Sequence, residues 1–232
     1  MSDFELEQHY LFDVEKTLQK VVEKNNSQIQ SHTEDYKRDY ADYISDFTAP
    51  EVKKFLAERL SHLSQSIDYL NKENYRYGKV KYSPYFAKIN LIEDGENLCY
   101  YIGTKHISDD EKLSVIDWRT PICSLFYNSN LGKTSYIAPS GEIFVDLKGK
   151  RQFKIENSKL ITFYDVNQNY CDDMLRESLR QSSSAYMKNI VATLQSEQDK
   201  IIREDVHTSV VVNGIAGSGK TSIGIQNSLF AL

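Results

Sequence analysis

The sequence predicts an α+β chain in three consecutive parts: an antiparallel helical hairpin of coiled-coil type, a mostly antiparallel β region, and the beginning of a phosphate-loop α/β motor domain. Three observations carry this. Residues 3 to 47 hold neither glycine nor proline, while apolar side chains recur there at helical spacing. Eight short segments rich in aromatic and β-branched residues follow between Tyr85 and Phe163, separated by turn residues. Near the end, the apolar run Val210 to Val212 leads into GIAGSGKT. The boundaries fall at 1–76, 77–167 and 168–232.

In the first part, Leu11, Val14, Leu18, Val21, Ile29, Tyr36, Tyr40, Tyr43 and Phe47 are spaced by threes and fours or their sums, one stripe of a long helix. Asn25 and His32 interrupt the stripe as polar seam residues that fix register. Thr48-Ala49-Pro50-Glu51 reads as a second helix start, with the Thr48 hydroxyl capping the amide of Glu51 and Pro50 in the first turn. A second stripe runs through Val52, Leu56, Leu60, Leu63, Ile67 and Leu70. Two such helices joined tightly form an arm. Its bend carries Asp39, Asp42, Asp46 and Glu51 with no Lys or Arg between 39 and 52. Those acids suit either a solvated helix N-terminus or a basic surface or metal in a partner.

The β region is expected at Tyr85–Ile92, Leu98–Gly103, Leu113–Trp118, Ser124–Tyr127, Ser135–Ala138, Ile143–Leu147, Gln152–Ile155 and Leu160–Phe163. Glu93-Asp94-Gly95-Glu96, Asn130-Leu131-Gly132-Lys133 and Pro139-Ser140-Gly141 are its clearest turns. The lone tryptophan lies in Asp117-Trp118-Arg119-Thr120-Pro121, read as a salt bridge and stacking arrangement that holds a loop. Helix signals return after Asp165.

The motif Gly214-Ile215-Ala216-Gly217-Ser218-Gly219-Lys220-Thr221 fills GxxxxGK[ST], with an apolar strand before it and a helix-like run from Ser222 after it. Glycines let successive backbone amides face the phosphates, and the helix N-terminus adds positive potential. Lys220 would reach the β and γ phosphates, and the Thr221 hydroxyl would ligate Mg2+. Gln198 opens the helix upstream. Its amide both donates and accepts, which suits an adenine edge. ATP and Mg2+ are the expected ligands.

Composition limits the partners. A net charge of -5 gives no general attraction for nucleic acid. Cys99, Cys123 and Cys171 are far apart and form no CxxC, so reduced, buried or half-buried thiols are expected. Sixteen tyrosines against one tryptophan suit packing with a wet hydroxyl edge. The acidic start lacks the features of a signal peptide, and no apolar run is long enough for a membrane span. The expected compartment is the cytoplasm.

Taken together, DWRTPI, KRQF, MKNIVATLQ and AGSGKTS, with the hairpin in front, resemble the HelD family, the UvrD/Rep-like superfamily 1 ATPases that bind bacterial RNA polymerase. The resemblance implies that the hairpin enters the polymerase secondary channel, placing Asp39, Asp42 and Asp46 near its active centre. The family often has a denser acidic cluster there; Tyr43 stands where a second adjacent acid is expected. It further implies that Gln198 recognises adenine, that Lys220 and Thr221 hold phosphate and magnesium, and that ATP drives release and recycling of polymerase from nucleic acid. DNA is an implied partner of the full-length protein, a membrane is not. Two other readings stay open at this level: part of a conventional DNA helicase of repair, or a non-enzymatic polymerase-binding module. No acidic strand-end motif, arginine finger or second motor domain follows Thr221, so this chain is expected to hydrolyse ATP poorly by itself.

Overall fold

The computed structural model describes residues 2–45, 47–109 and 113–166 and the single position Val211. They divide into two compact units, one within Met1–Pro84, Ile107–Ser114 and Glu156–Lys159, the other within Tyr85–His106, Val115–Ile155 and residues 160–166. The expected combination of a helical hairpin with a largely antiparallel sheet is the architecture found.

The first unit is built on helix α1, Asp3–Ile44, and helix α2, Pro50–Val80. Ser2 starts α1 with a capping box: its hydroxyl accepts from the Glu5 amide at 3.3 Å while its own amide donates to the Glu5 carboxylate at 2.8 Å. Two donors that the first turn leaves open are thereby satisfied, and Asp3 and Glu5 meet the positive end of the helix dipole. The helix stops at Ile44, earlier than the stripe ending on Phe47 predicts, because Ser45 turns extended.

Thr48 does not cap α2 as expected. The N-cap is Ala49, which makes no side-chain bond, and the Thr48 hydroxyl instead donates backwards to the Asp42 carbonyl at 2.6 Å. Among the last carbonyls of a helix, which have no partner within it, that one is satisfied by the bend itself. Pro50 does stand in the first turn of α2.

The seam between the helices changes character along its length. Leu11, Val14 and Leu18 of α1 and Leu56, Leu60 and Leu70 of α2 are buried. From Asn25 on, the positions continuing Leu11 and Leu18 at seven-residue steps are Asn25, His32 and Asp39, and each meets a polar group of α2. Asn25 donates to Asn74 at 2.8 Å, His32 Nδ1 lies 3.0 Å from the Ser66 hydroxyl, and Arg59 Nε lies 2.8 Å from Asp39. A seven-residue repeat sustained over several turns keeps one face on the partner only if the pair supercoils. This seam therefore runs through 25, 32 and 39 and leaves Tyr40, Tyr43, Phe47 and Val52 exposed, contrary to the predicted stripes.

Within the same unit, Tyr10 donates to the Ser114 carbonyl at 2.5 Å, Lys20 pairs with Asp109 at 3.7 Å, and the Ser114 and Thr17 hydroxyls meet at 3.4 Å. The two-residue strand β3, Ile107–Ser108, was not visible in the sequence pattern. Ser158 anchors the end of α2, its amide and hydroxyl donating to the carbonyls of Tyr82 and Lys81 at 3.0 and 3.2 Å.

The second unit is a sheet. Strands β1 (Ala87–Glu93), β2 (Glu96–Gly103), β4 (Leu113–Asp117), β5 (Gly132–Ala138), β6 (Gly141–Glu156) and β7 (Lys159–Asp165) run in the order β4-β2-β1-β6-β5, with β7 also on β6. The pairs β1–β2, β1–β6 and β5–β6 are antiparallel; β2–β4 is parallel. Asp94 and Gly95 both take positive φ, 50° and 85°, in the turn between β1 and β2, the mirror-image turn whose twist matches that of paired strands.

Two expected breaks resolve differently. The polar run Lys148-Gly149-Lys150-Arg151 does not separate two strands: β6 passes through it and absorbs a register shift opposite Asn90 and Leu91 of β1. Ser124–Tyr127, expected as a strand, is helix α3, Ser124–Asn128, entered through a tight turn Pro121–Cys123. Proline fixes the entry, Ser124 Oγ donates to the Pro121 carbonyl at 2.7 Å, and the helix buries both Leu125 and Phe126. A run of four apolar or small residues carries no period that separates strand from helix. Ile89, Leu91, Ile102, Leu125, Phe126, Val145 and Leu147 share one core with Trp118, Ile122 and Cys123. Cys99, expected buried or half-buried, is exposed. Among the described residues no helix is long and apolar enough to cross a membrane.

Candidate functional site

The end of the hairpin sorts the predicted acids. Asp39 is buried, at 4% exposure, in contrast to the surface position expected for a tip acid. Its carboxylate lies 2.8 Å from Arg59 Nε and 3.9 Å from Arg38 Nε, while Asp35 draws the other side of Arg38 to 2.5 Å. Arg59 belongs to α2, so the pair ties one helix to the other. Asp42 is exposed, and its backbone carbonyl accepts from Ser45 N at 3.2 Å and from the Thr48 hydroxyl. Asp46 lies outside the described residues. Glu51 is exposed in the first turn of α2, where the helix dipole favours it. Among the described residues the exposed acids of the bend are Asp42 and Glu51, with Lys53 and Lys54 directly after them on α2, and Asp39 serves the seam.

Sequence reasoning missed what surrounds these acids. Tyr40, Tyr43, Ile44, Phe47, Val52 and Phe55 are all exposed, Phe47 completely. Tyr40 and Tyr36 stack with ring centroids 6.2 Å apart, one turn from each other along α1. For Tyr40 the signal was present in the series Leu11, Leu18, Asn25, His32, Asp39, whose seven-residue step puts 40 beside a seam position and off the seam.

In the Asp117-Trp118-Arg119 segment the expected salt bridge is present. Arg119 forks onto Asp117 through Nε at 2.9 Å and a terminal nitrogen at 2.8 Å, and the Arg119 amide donates to the same carboxylate at 2.9 Å. The hydrogen bonds that Arg119 donates to Asp117 raise the Arg119 pKa; burial opposes them and the Asp117 charge adds to them. Trp118 is buried, and Cys123 Sγ lies 3.4 Å from the Asp117 carbonyl, so the loop is fixed from both sides. Both oxygens of Asp117 are engaged by Arg119.

An open depression near 620 Å³ lies on the sheet, lined by Ile92, Asp94, Lys133, Phe144 and Asp146. It includes none of the residues expected from the sequence to bind a ligand or a partner. Among the described residues no group of three or more His, Cys, Asp or Glu side chains is placed to hold a metal ion. Gln198, Gly214, Ile215, Ala216, Gly217, Ser218, Gly219, Lys220, Thr221 and Ser222, the residues expected to bind nucleotide and Mg2+, lie outside the described residues.

No curated protein matches the chain. A family model does, described as DNA helicase IV HelD, N-terminal domain, over residues 4–183. That span takes in both helices of the hairpin and every strand of the sheet, and ends before the phosphate-loop motif. The chain belongs to the family of HelD DNA helicase IV N-terminal domains.

Proposed function

We propose that this chain supplies the N-terminal part of a superfamily 1 helicase-like ATPase that binds bacterial RNA polymerase core, places its hairpin in the secondary channel and helps release the enzyme from nucleic acid. The observation that carries the reading is the hairpin. A helix of 42 residues is about 63 Å long at a rise of ~1.5 Å per residue. Paired through a closed seam, it forms a stiff arm whose bend exposes acids and aromatics instead of burying them. An arm with that end is suited to reach a site set back from a partner's surface.

In the same proposal the phosphate loop binds ATP with Mg2+, Lys220 meeting the β and γ phosphates, Thr221 the metal and Gln198 the adenine; this rests on sequence alone. ATP would supply the free energy that loosens polymerase from nucleic acid. The test is binding of the purified chain to polymerase core and, separately, to forked DNA. The expected result is saturable binding to core that tightens at low salt, with weak binding to DNA. Binding to forked DNA without binding to core would overturn the proposal. That result would favour a DNA helicase acting directly on its substrate, the reading to which the family description lends weight.

A further inference from the structure

The far end of α2 from the bend carries cations and open aromatic rings on the face turned away from α1. Leu70 is buried, and Asn74 hydrogen-bonds to Asn25 and Asn26 of α1. Lys72 and Arg76 each lie two residues further on, about 200° round the helix, and so face outward. Tyr69, Lys72, Arg76 and Lys79 follow at steps of three and four along one face. Tyr75 stands beside it, and Lys81 and Tyr82 continue past the helix end at Val80. Tyr69, Tyr75 and Tyr82 are 62%, 66% and 58% exposed, and Lys79 Nζ lies 4.3 Å from the Tyr75 ring centre. The Arg76 side chain is 66% exposed although it meets half-buried Glu73 at 3.0 Å.

The charge here runs against that of the chain. Residues 68–82 hold Lys72, Arg76, Lys79 and Lys81 against Asp68 and Glu73, and residues 74–84 hold no acid, whereas the whole sequence carries -5. The stretch of α1 alongside, residues 18–29, sets Lys20 and Lys24 against Glu23 and the Asp109 that pairs with Lys20. The turn whose Ser158 bonds to Lys81 and Tyr82 sets Lys159 against Glu156. The surroundings are therefore balanced, and the excess of the outer face stands.

The residue types select the occupant. Beyond Phe55, each exposed large apolar side chain of α2 and of the turn after it is a tyrosine, so the face has no aliphatic, Trp or Phe group to insert among acyl chains. Protein interfaces favour Arg and disfavour Lys, and three of these four cations are Lys. Phosphate accepts Lys as a point charge, and an open tyrosine ring stacks on a nucleobase of any sequence. A duplex hides its base faces, which leaves a single strand.

We propose that the outer face of α2 from Tyr69 to Tyr82 binds single-stranded nucleic acid, with bases stacked on the tyrosines and phosphates at Lys72, Arg76, Lys79 and Lys81. These contacts use groups common to DNA and RNA. From Tyr69 to Lys79 the helix rises ~15 Å. That length matches about four phosphates of a stacked strand at ~3.4 Å each, one for each cation. The inference does not depend on the polymerase reading.

The experiment follows fluorescence anisotropy of labelled oligothymidylate and oligouridylate of about 15 nucleotides with the purified chain. It compares the unaltered chain with Lys72→Gln/Lys79→Gln and with Tyr69→Ala/Tyr75→Ala; far-UV circular dichroism establishes that both variants keep their helices. All four positions are exposed. Both oligonucleotides should bind alike, with a micromolar Kd at low salt, and roughly 50-fold more weakly at ~200 mM than at ~50 mM salt, since about four phosphates at ~0.7 each give a slope near -3. The Lys variant should lose roughly 20-fold at low salt and about 1.4 of that slope. The Tyr variant should lose roughly 20-fold with the slope kept. Polyglutamate of equal charge and phosphatidylserine-rich vesicles should compete poorly. Absence of binding at low salt, affinity unchanged in either variant, or equal competition by polyglutamate or vesicles overturns the proposal. Each of these results leaves binding to polymerase core, measured separately, as it was.

Discussion

The arm and the sheet use apolar residues in opposite ways. In the sheet, Ile89, Leu91, Ile102, Leu125 and Leu147 are at most 1% exposed and share one core with Phe126, Val145 and Trp118. In the arm, burial is confined to a narrow seam, and its outer half combines buried Leu56 and Leu60 with the pairs Asn25–Asn74, His32–Ser66 and Asp39–Arg59. The difference shows what each part is constrained to do. An apolar core gives stability, while polar contacts at chosen seam positions select register and pairing at some cost in stability. The polar pairs in the arm lock two helices in one alignment, and the aromatics that a wider stripe would have covered stand open at the bend.

The contrast is tested most strongly in the sheet. Leu125→Ala removes a fully buried side chain from α3 and should cost about 3 kcal/mol in denaturant unfolding of the sheet, followed by Trp118 fluorescence. A loss below ~1 kcal/mol would mean that the core collapses around the cavity and that its packing is looser than the burial implies.

In the arm the expected losses are smaller. Asp39→Ala leaves Arg59 without its buried partner, although Arg59 is itself 41% exposed and keeps Asp35 at 3.9 Å. Solvent weakens the interaction, so about 1–2 kcal/mol is expected, read as an earlier loss of helical circular dichroism. No change would remove Asp39 from the seam and return it to the acids available to a partner. Thr48→Ala deletes the bond that closes the bend onto the Asp42 carbonyl. Its expected cost is ~0.5–1 kcal/mol in the same measurement. A loss as large for Thr48→Val as for Ala would confirm the hydroxyl, and not the methyl group, as the source.

The smallest effect concerns pH. Burial and, secondarily, Glu93 raise the Tyr100 pKa above 10.0. Because the raised value favours the neutral phenol in the folded state, this contribution is fully present below the ordinary tyrosine value and is lost as pH rises through the folded one. Sheet stability should therefore decline in alkaline solution, and Tyr100→Phe should flatten that decline. An unchanged alkaline slope in Tyr100→Phe would assign the loss to other groups, Tyr136 among them.

Local chemistry determined much of this by sequence alone. The absence of glycine and proline over residues 3 to 47 with recurrent apolar spacing fixed a long helix, and Pro50 marked the start of its partner. Asp94-Gly95 fixed a hairpin turn because those residues tolerate positive φ. Asn25 and His32 were legible as seam residues from the stripe they interrupt. The nucleotide residues are legible only as a motif, since they lie outside the described residues. Tertiary structure decided the rest. The Thr48 hydroxyl serves either helix end with equal local chemistry, and only the folded bend selects the carbonyl of Asp42. A four-residue segment such as Ser124–Tyr127 is too short to show a period, so the neighbouring core determines its form. Asp39 reads as a surface acid until the partner helix brings Arg59 against it, the same seam turns Tyr40 outward, and Phe47 stands open because α1 has already ended at Ile44. Which face of a long helix meets its partner depends on the sum of contacts across two chain segments, and no window of one segment contains that sum.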